Sequence, residues 1–201
     1  MSKIGILGGT FNPIPNGHIM LAQYCTQEIG LDKIIFIPTY TPPHKTNKYL
    51  VNENHRLEMC RLAVKELEGF EVSDVEIMRK GKSYTYQTLT FLKEVYPDDE
   101  LYFIMGADMF LSLHTWKNPE IIFNLAKIIA IPRDENSIND LQNYYSSVIK
   151  SMGADAIILP NSVKQISSTQ IRENINNKAM LISLLDENVL NYIEKNNLYR
   201  M

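Results

Sequence analysis

Four short runs of uninterrupted apolar residues punctuate the chain: KIGILGG from Lys3, KIIFIP from Lys33, LYFIMG from Leu101 and KIIAIP from Lys127. A strand with one wet face alternates apolar and polar positions. These runs do not alternate, so each is predicted to be a β-strand covered on both faces. Between them apolar residues recur at three- and four-residue steps, which predicts helices over about Gly17–Gly30, Glu53–Leu67, Thr85–Val95 and Ile138–Met152. A further short strand, AIILP at Ala156–Pro160, is expected at one sheet edge, and SSTQIRENI and DENVLNYIEKN each read as a late helix. Strand, helix, strand in succession implies right-handed crossovers and an α/β fold with a doubly wound parallel sheet. No repeat, low-complexity tract or long linker interrupts residues 1–201, so one domain is expected, with a small helical segment at about 166–201.

In such sheets ligands bind beyond the carboxyl ends of the strands, where the strand order reverses. That rule selects four segments: Gly8–His18, Thr39–Lys48, Gly106–Trp116 and Pro132–Glu135. The first, GGTFNPIPNGH, leaves a strand through Gly8-Gly9 and enters a helix at Gly17-His18. Glycines let backbone N–H groups approach an anion closely, and a helix N-terminus adds oriented donors and partial positive charge. The spacing fits neither the dinucleotide fingerprint Gly-x-Gly-x-x-Gly nor a Walker loop. Taken alone, it reads equally well as a tight strand-to-helix connection. A second stretch, ISSTQIR at Ile166–Arg172, holds Ser167 and Gln170 at capping-box spacing. A capping box does not require Ser168, Thr169 and Arg172 as well; hydroxyls at a helix start with an Arg one turn in make a second anion site.

Composition narrows the class. Hydrophobic residues make up 45% of the chain, ample for a core without metal or disulfide staples. A net charge of −3 argues against a nucleic-acid-binding surface. Cys25 shares a helical stripe with Ile19, Ala22 and Ile29, and Cys60 shares one with Leu57, Val64 and Leu67, so both read as buried small hydrophobes. The four histidines lack metal-ligand spacing; no metal site is expected, and His55 and His114 read as structural or surface residues. No secretory leader and no apolar run long enough to span a membrane is legible, so a soluble, cytoplasmic protein is expected, with no membrane partner. Homo-oligomerisation is left open.

The run Gly8–His18 resembles the first signature of the nucleotidyltransferases related to class I aminoacyl-tRNA synthetases, Gly-Gly-Ser/Thr-Phe-Asp/Asn-Pro-x-His-x-Gly-His, and Ile166–Arg172 resembles their second. Two signatures in the right order are far more specific than either alone. Within that superfamily TYTPPHK (Thr39–Lys45), SYTYQTL (Ser83–Leu89), MGADMFLSLHTWKN (Met105–Asn118) and IPRDE (Ile131–Glu135) are similar, in order, to segments of bacterial nicotinate-nucleotide adenylyltransferases. The resemblance implies a Rossmann-like fold and adenylyl transfer from ATP to nicotinate mononucleotide, giving deamido-NAD and pyrophosphate, with Mg²⁺ arriving on ATP.

It also implies roles. Gly8, Gly9, Thr10, Phe11, His18, Ser168, Thr169 and Arg172 would surround ATP, with Gly106 and Asp108 at the adenosine ribose. Thr85, Trp116, Arg133, His44 and Lys45 would hold the mononucleotide, the last two near phosphate, and His18, Lys45 and Arg172 would carry the catalytic electrostatics. Plainer readings stand beside these: Trp116 as packing, Asp108 as a first-turn carboxylate, Thr85 as an N-cap, and PPHK as an exposed loop. The sequence departs from the family twice, with Gln87 where an Asp is common and Pro15 in place of the first signature histidine. A sister transferase with another phosphate acceptor, or a nucleotide-binding module without turnover, are the alternatives.

Overall fold

In the computed structural model, residues 1–41, 50–162 and 166–200 are described. Six strands form one parallel sheet: β1 (Lys3–Gly9), β2 (Lys33–Pro38), β3 (Phe70–Val72), β4 (Glu100–Gly106), β5 (Ala126–Ile131) and β6 (Ala156–Ile158). Their order is β3-β2-β1-β4-β5-β6, so the winding reverses between β1 and β4. Both central strands end in glycine, Gly9 and Gly106, on the same side of the sheet. The doubly wound α/β sheet is therefore as expected.

Successive residues of each strand feed opposite cores. Ile34 and Phe36 join one apolar cluster with helices α1 (Asn16–Ile29) and α2 (Glu53–Val64), whereas Ile35 and Ile37 join another with α4 (Thr85–Val95) and α6 (Pro119–Leu125). Two buried faces explain why the strand sequences are continuously apolar. Cys25 and Cys60 are fully buried in the first cluster, and burial pushes the Cys25 thiol up to about 12, so neither presents a thiolate. The late helices α8 (Ser168–Glu173), α9 (Lys178–Leu184) and α10 (Glu187–Lys195) pack on that same cluster through Ile171, Leu181, Val189 and Ile193. Each such fully buried side chain contributes about 1.5–3 kcal/mol, so the late segment is fastened to the sheet rather than appended to it.

Several elements were not predicted. The β3 strand is three partly exposed residues on the sheet edge, too short to show a period. Helices α3 (Val75–Arg79) and α5 (Ala107–Leu111) have five residues each, and α6 and α9 have seven. Helix α7 (Glu135–Tyr144) begins three residues before the apolar pattern does. Asp134 caps it by accepting from the Ser137 N–H at 2.8 Å, a capping box inside the segment read as loop. Among the described residues no helix is long and apolar enough to cross a membrane.

Candidate active site

A cleft of about 930 Å³ opens over the carboxyl ends of β1 and β4, where the winding reverses. Its floor is Gly8, Gly9, Thr10 and Phe11 from the β1–α1 loop, with Gly106 opposite at the end of β4. Gly9 has no room for a side chain, because a Cβ there would stand 2.8 Å from the Phe11 ring. Phe11 itself takes φ +48, a left-handed conformation that costs a non-glycine residue energy and is typical of loops held for function. Its buried ring meets the His18 imidazole edge-on, at 5.3 Å between centroids.

Helix α1 begins at this loop. Pro15 is its N-cap residue, with no side-chain cap hydrogen bond, and its first turn carries no acidic residue. The His18 N–H donates to the Pro15 carbonyl at 3.0 Å. Pro15 is buried, and the cleft wall passes from Asn12 to Gly17 without it. The positive end of the helix faces the cleft through Gly17 and His18.

The second signature docks directly onto the first. The Ser168 hydroxyl donates to the Pro13 carbonyl at 2.7 Å, and Arg172 donates to the Asn12 carbonyl at 2.7 Å and to the Thr169 hydroxyl at 3.0 Å. Ser167 caps α8 by accepting from the Gln170 N–H, as its spacing predicts. Ser168, Thr169 and Arg172 all line the cleft as well.

At the other end, helix α4 presents a second N-terminus. The N-cap is Tyr84 rather than Thr85, it makes no side-chain cap bond, and the first turn has no acidic residue. Thr85 is therefore the first helical residue, and it lines the cleft. Trp116 is half-buried, packs edge-on against Phe103 and donates from Nε1 to the Ser112 hydroxyl at 3.4 Å. Lys117 lies over the Tyr84 ring, 4.7 Å from its centroid. Asp108, in the first turn of α5, forms an ion pair with Arg133 at the rim. Arg133, expected with the mononucleotide group, is thus joined to the residue expected at the ATP ribose. His44 and Lys45 lie outside the described residues; every other predicted site residue lines the cleft.

Some residues of the site were not predicted. Arg56 on α2 is only 1% exposed and donates to three carbonyls, those of Thr10 (2.8 Å), Tyr40 (3.0 Å) and Val51 (3.2 Å). Burial lowers its guanidinium below the usual range. One signal was available: Arg56 precedes Cys60 by four residues, placing a charge on an apolar stripe. Glu76 is buried on the cleft wall and accepts from the Thr88 hydroxyl at 2.6 Å. Burial raises its carboxyl, opposed by the Thr88 and Ser83 hydroxyls and by Arg79. Gln87, the other departure from the family, does not line this cleft; it lines a smaller cavity with Arg79 and Asp74. His55 and His114 are hydrogen-bonded to Tyr192 and Tyr144 and do not line the cleft.

Comparison with known proteins agrees with this geometry. A family model described as cytidylyltransferase-like matches residues 6–174. The chain is 38% identical over 200 residues to a Clostridium tetani protein named "Probable nicotinate-nucleotide adenylyltransferase", covering 100% of both chains. It is 40% identical over 203 residues to a Desulfitobacterium hafniense protein of the same name, covering 99% of this chain and 96% of that one. Among solved structures, Plasmodium falciparum nicotinic acid mononucleotide adenylyltransferase complexed with NaAD matches with a TM-score of 0.76 over 99% of this chain and 98% of that one. At 20% identity, that likeness concerns the fold. Matched end to end at this level of identity, the chain belongs to the cytidylyltransferase-like nucleotidyltransferases and, within them, to the nicotinate-nucleotide adenylyltransferase family.

Proposed function

We propose that this chain, as one functional unit, joins nicotinate mononucleotide to ATP in the cytoplasm, giving deamido-NAD and pyrophosphate. The observation that carries the reading is that one cleft is lined by the starts of two helices, α1 and α4, neither of which carries an acidic residue in its first turn. Both substrates are anions, and each helix start offers backbone N–H groups and positive dipole to one of them. The ATP polyphosphate lies on the Gly8–Phe11 loop and the start of α1, with its ribose toward Asp108 and Arg133. The pyridine ring lies against Trp116, and its carboxylate receives N–H groups at the start of α4.

The chemistry needs no enzyme nucleophile. An oxygen of the mononucleotide phosphate forms a bond to the α-phosphorus of ATP, and the bond from that phosphorus to the bridging oxygen breaks, releasing pyrophosphate. Catalysis is then positioning of two anions plus stabilisation of charge on the phosphoryl oxygens. His18 donates from the first turn of α1, Arg172 adds charge from α8, and we assign Lys45, with His44, to the mononucleotide phosphate. Among the described residues no group of three His, Cys, Asp or Glu side chains is placed to hold a metal ion. We take Mg²⁺ to enter as part of the ATP substrate, coordinated by phosphate and water.

The test is pyrophosphate release. Mixing the protein with MgATP and nicotinate mononucleotide is expected to release pyrophosphate and form deamido-NAD in equal amounts. Release from ATP alone at the same rate, or none with both substrates, contradicts the reading.

A further inference from the structure

The loop under the proposed ATP site is held from behind by residues outside both signatures. A loop that binds polyphosphate through N–H groups must keep its carbonyl oxygens turned away, since each carries partial negative charge. Here the Thr10, Asn12 and Pro13 carbonyls are all occupied, by Arg56, Arg172 and Ser168 respectively. Arg172 and Ser168 belong to the second signature and line the cleft. Arg56 does neither. It reaches the loop from α2, its hydrogen bonds all run to backbone carbonyls, and Glu53 acts on it only through the electrostatic field.

A second anchor comes from the far end of the described chain. The Tyr199 hydroxyl donates to Asn12 Oδ1 at 2.9 Å, beside a 3.2 Å bond from the Val51 N–H to the same oxygen. Tyr199 sits at φ +63 directly after the buried Leu198, and burial pushes its phenol far above the usual range, so it remains an O–H donor. Val51 is also one of the three carbonyls held by Arg56. Asn12, Val51, Arg56 and Tyr199 therefore form one connected set beneath Phe11, whose left-handed backbone needs flanks that do not move.

We infer that Arg56 and Tyr199 are positioning residues for ATP, holding the Thr10–Pro13 carbonyls and the Asn12 side chain so that the loop's N–H groups face the polyphosphate. This rests on the reading that the β1–α1 end of the cleft takes ATP. Neither residue touches the substrate; both act through the loop.

The experiment compares ATP binding with acceptor binding in Tyr199→Phe, Arg56→Lys and Arg56→Met, each in the full chain. Calorimetry with MgATP gives Kd, and steady-state kinetics give KM for both substrates. In Tyr199→Phe, which removes one hydroxyl, the Kd and KM for ATP are expected to rise about three- to tenfold. The KM for nicotinate mononucleotide should stay within about twofold. Arg56→Lys, retaining charge and one donor direction, should lose less ATP affinity than Arg56→Met. If the Arg56 variants do not fold, Tyr199→Phe decides alone. Equal shifts in both KM values, or a lowered melting temperature with unchanged ATP Kd, would overturn the positioning role. Wild-type protein that binds ATP without turning over contradicts the proposed reaction and leaves this test intact. Wild-type protein that does not bind ATP contradicts both.

Discussion

The two ends of the cleft are built by different means. At the β1–α1 end the chain is tied by hydrogen bonds to its own backbone: Arg56, Ser168 and Arg172 each donate to a loop carbonyl, and Tyr199 to Asn12. At the α4 end the wall is made of side-chain surfaces, with Trp116 edge-on to Phe103 and Lys117 over Tyr84. The first end is fixed before any ligand arrives, as suits a triphosphate whose charges must be met at set positions. The second offers a flat aromatic surface and a helix start, as suits a planar ring with one charged substituent. On the proposed reading, a hydrogen-bonded loop for the triphosphate faces a wall that selects the acceptor through a few side chains.

Substitutions at the two ends should therefore behave differently. The largest effect is expected at the fixed end. His18→Ala removes a donor from the first turn of α1 and should lower kcat by about 10²–10³, while the protein folds and still binds ATP. Wild-type turnover in that variant removes His18 from the chemistry. Next comes Pro15, buried at the N-cap in an extended conformation (φ −90, ψ 160) that other residues also adopt. Pro15→His restores the family's donor beside the helix start, and kcat/KM for ATP should rise roughly ten- to a hundredfold, as one charge-assisted hydrogen bond predicts. A neutral or harmful result would mean that the loop is packed around proline and that His18 acts without a partner there.

The smallest of these effects belongs to the recognition wall. Trp116→Ala should raise KM for the mononucleotide about tenfold, leaving KM for ATP little changed. Because Trp116 is only half-buried, its loss should cost less stability than the ~3–5 kcal/mol of a core aromatic. A collapsed melting temperature with an unchanged KM assigns it to packing instead.

What was legible in the sequence follows the same division. The four central strands, the sheet type and the α1, α2 and α4 helices were all readable, because continuous apolar runs and 3.6-residue periods report burial directly. Both signatures were readable as candidate sites, the first through its resemblance because its glycines alone fit a tight strand-to-helix connection equally well, and both line the cleft. The contact between those signatures was not. Ser168 and Pro13 stand 155 positions apart, and no local pattern announces that one bonds the other. Arg56 and Tyr199 were missed for the same reason, since their partners are backbone carbonyls and an amide, groups that every sequence supplies everywhere. The Arg133–Asp108 ion pair was not legible either, because IPRDE names a strand end without saying which neighbour it meets; the parallel register of β4 with β5 brings the two together.

The account stands most directly on acceptor choice. With MgATP saturating, kcat/KM is to be measured for nicotinate mononucleotide, its amide analogue and phosphopantetheine under the same conditions. The α4 N-terminus beside an aromatic wall favours the carboxylate, so the acid nucleotide should exceed the amide by at least about tenfold, or 1.4 kcal/mol, and phosphopantetheine should give no product. Equal values for acid and amide, or turnover of phosphopantetheine in preference to either, would contradict it.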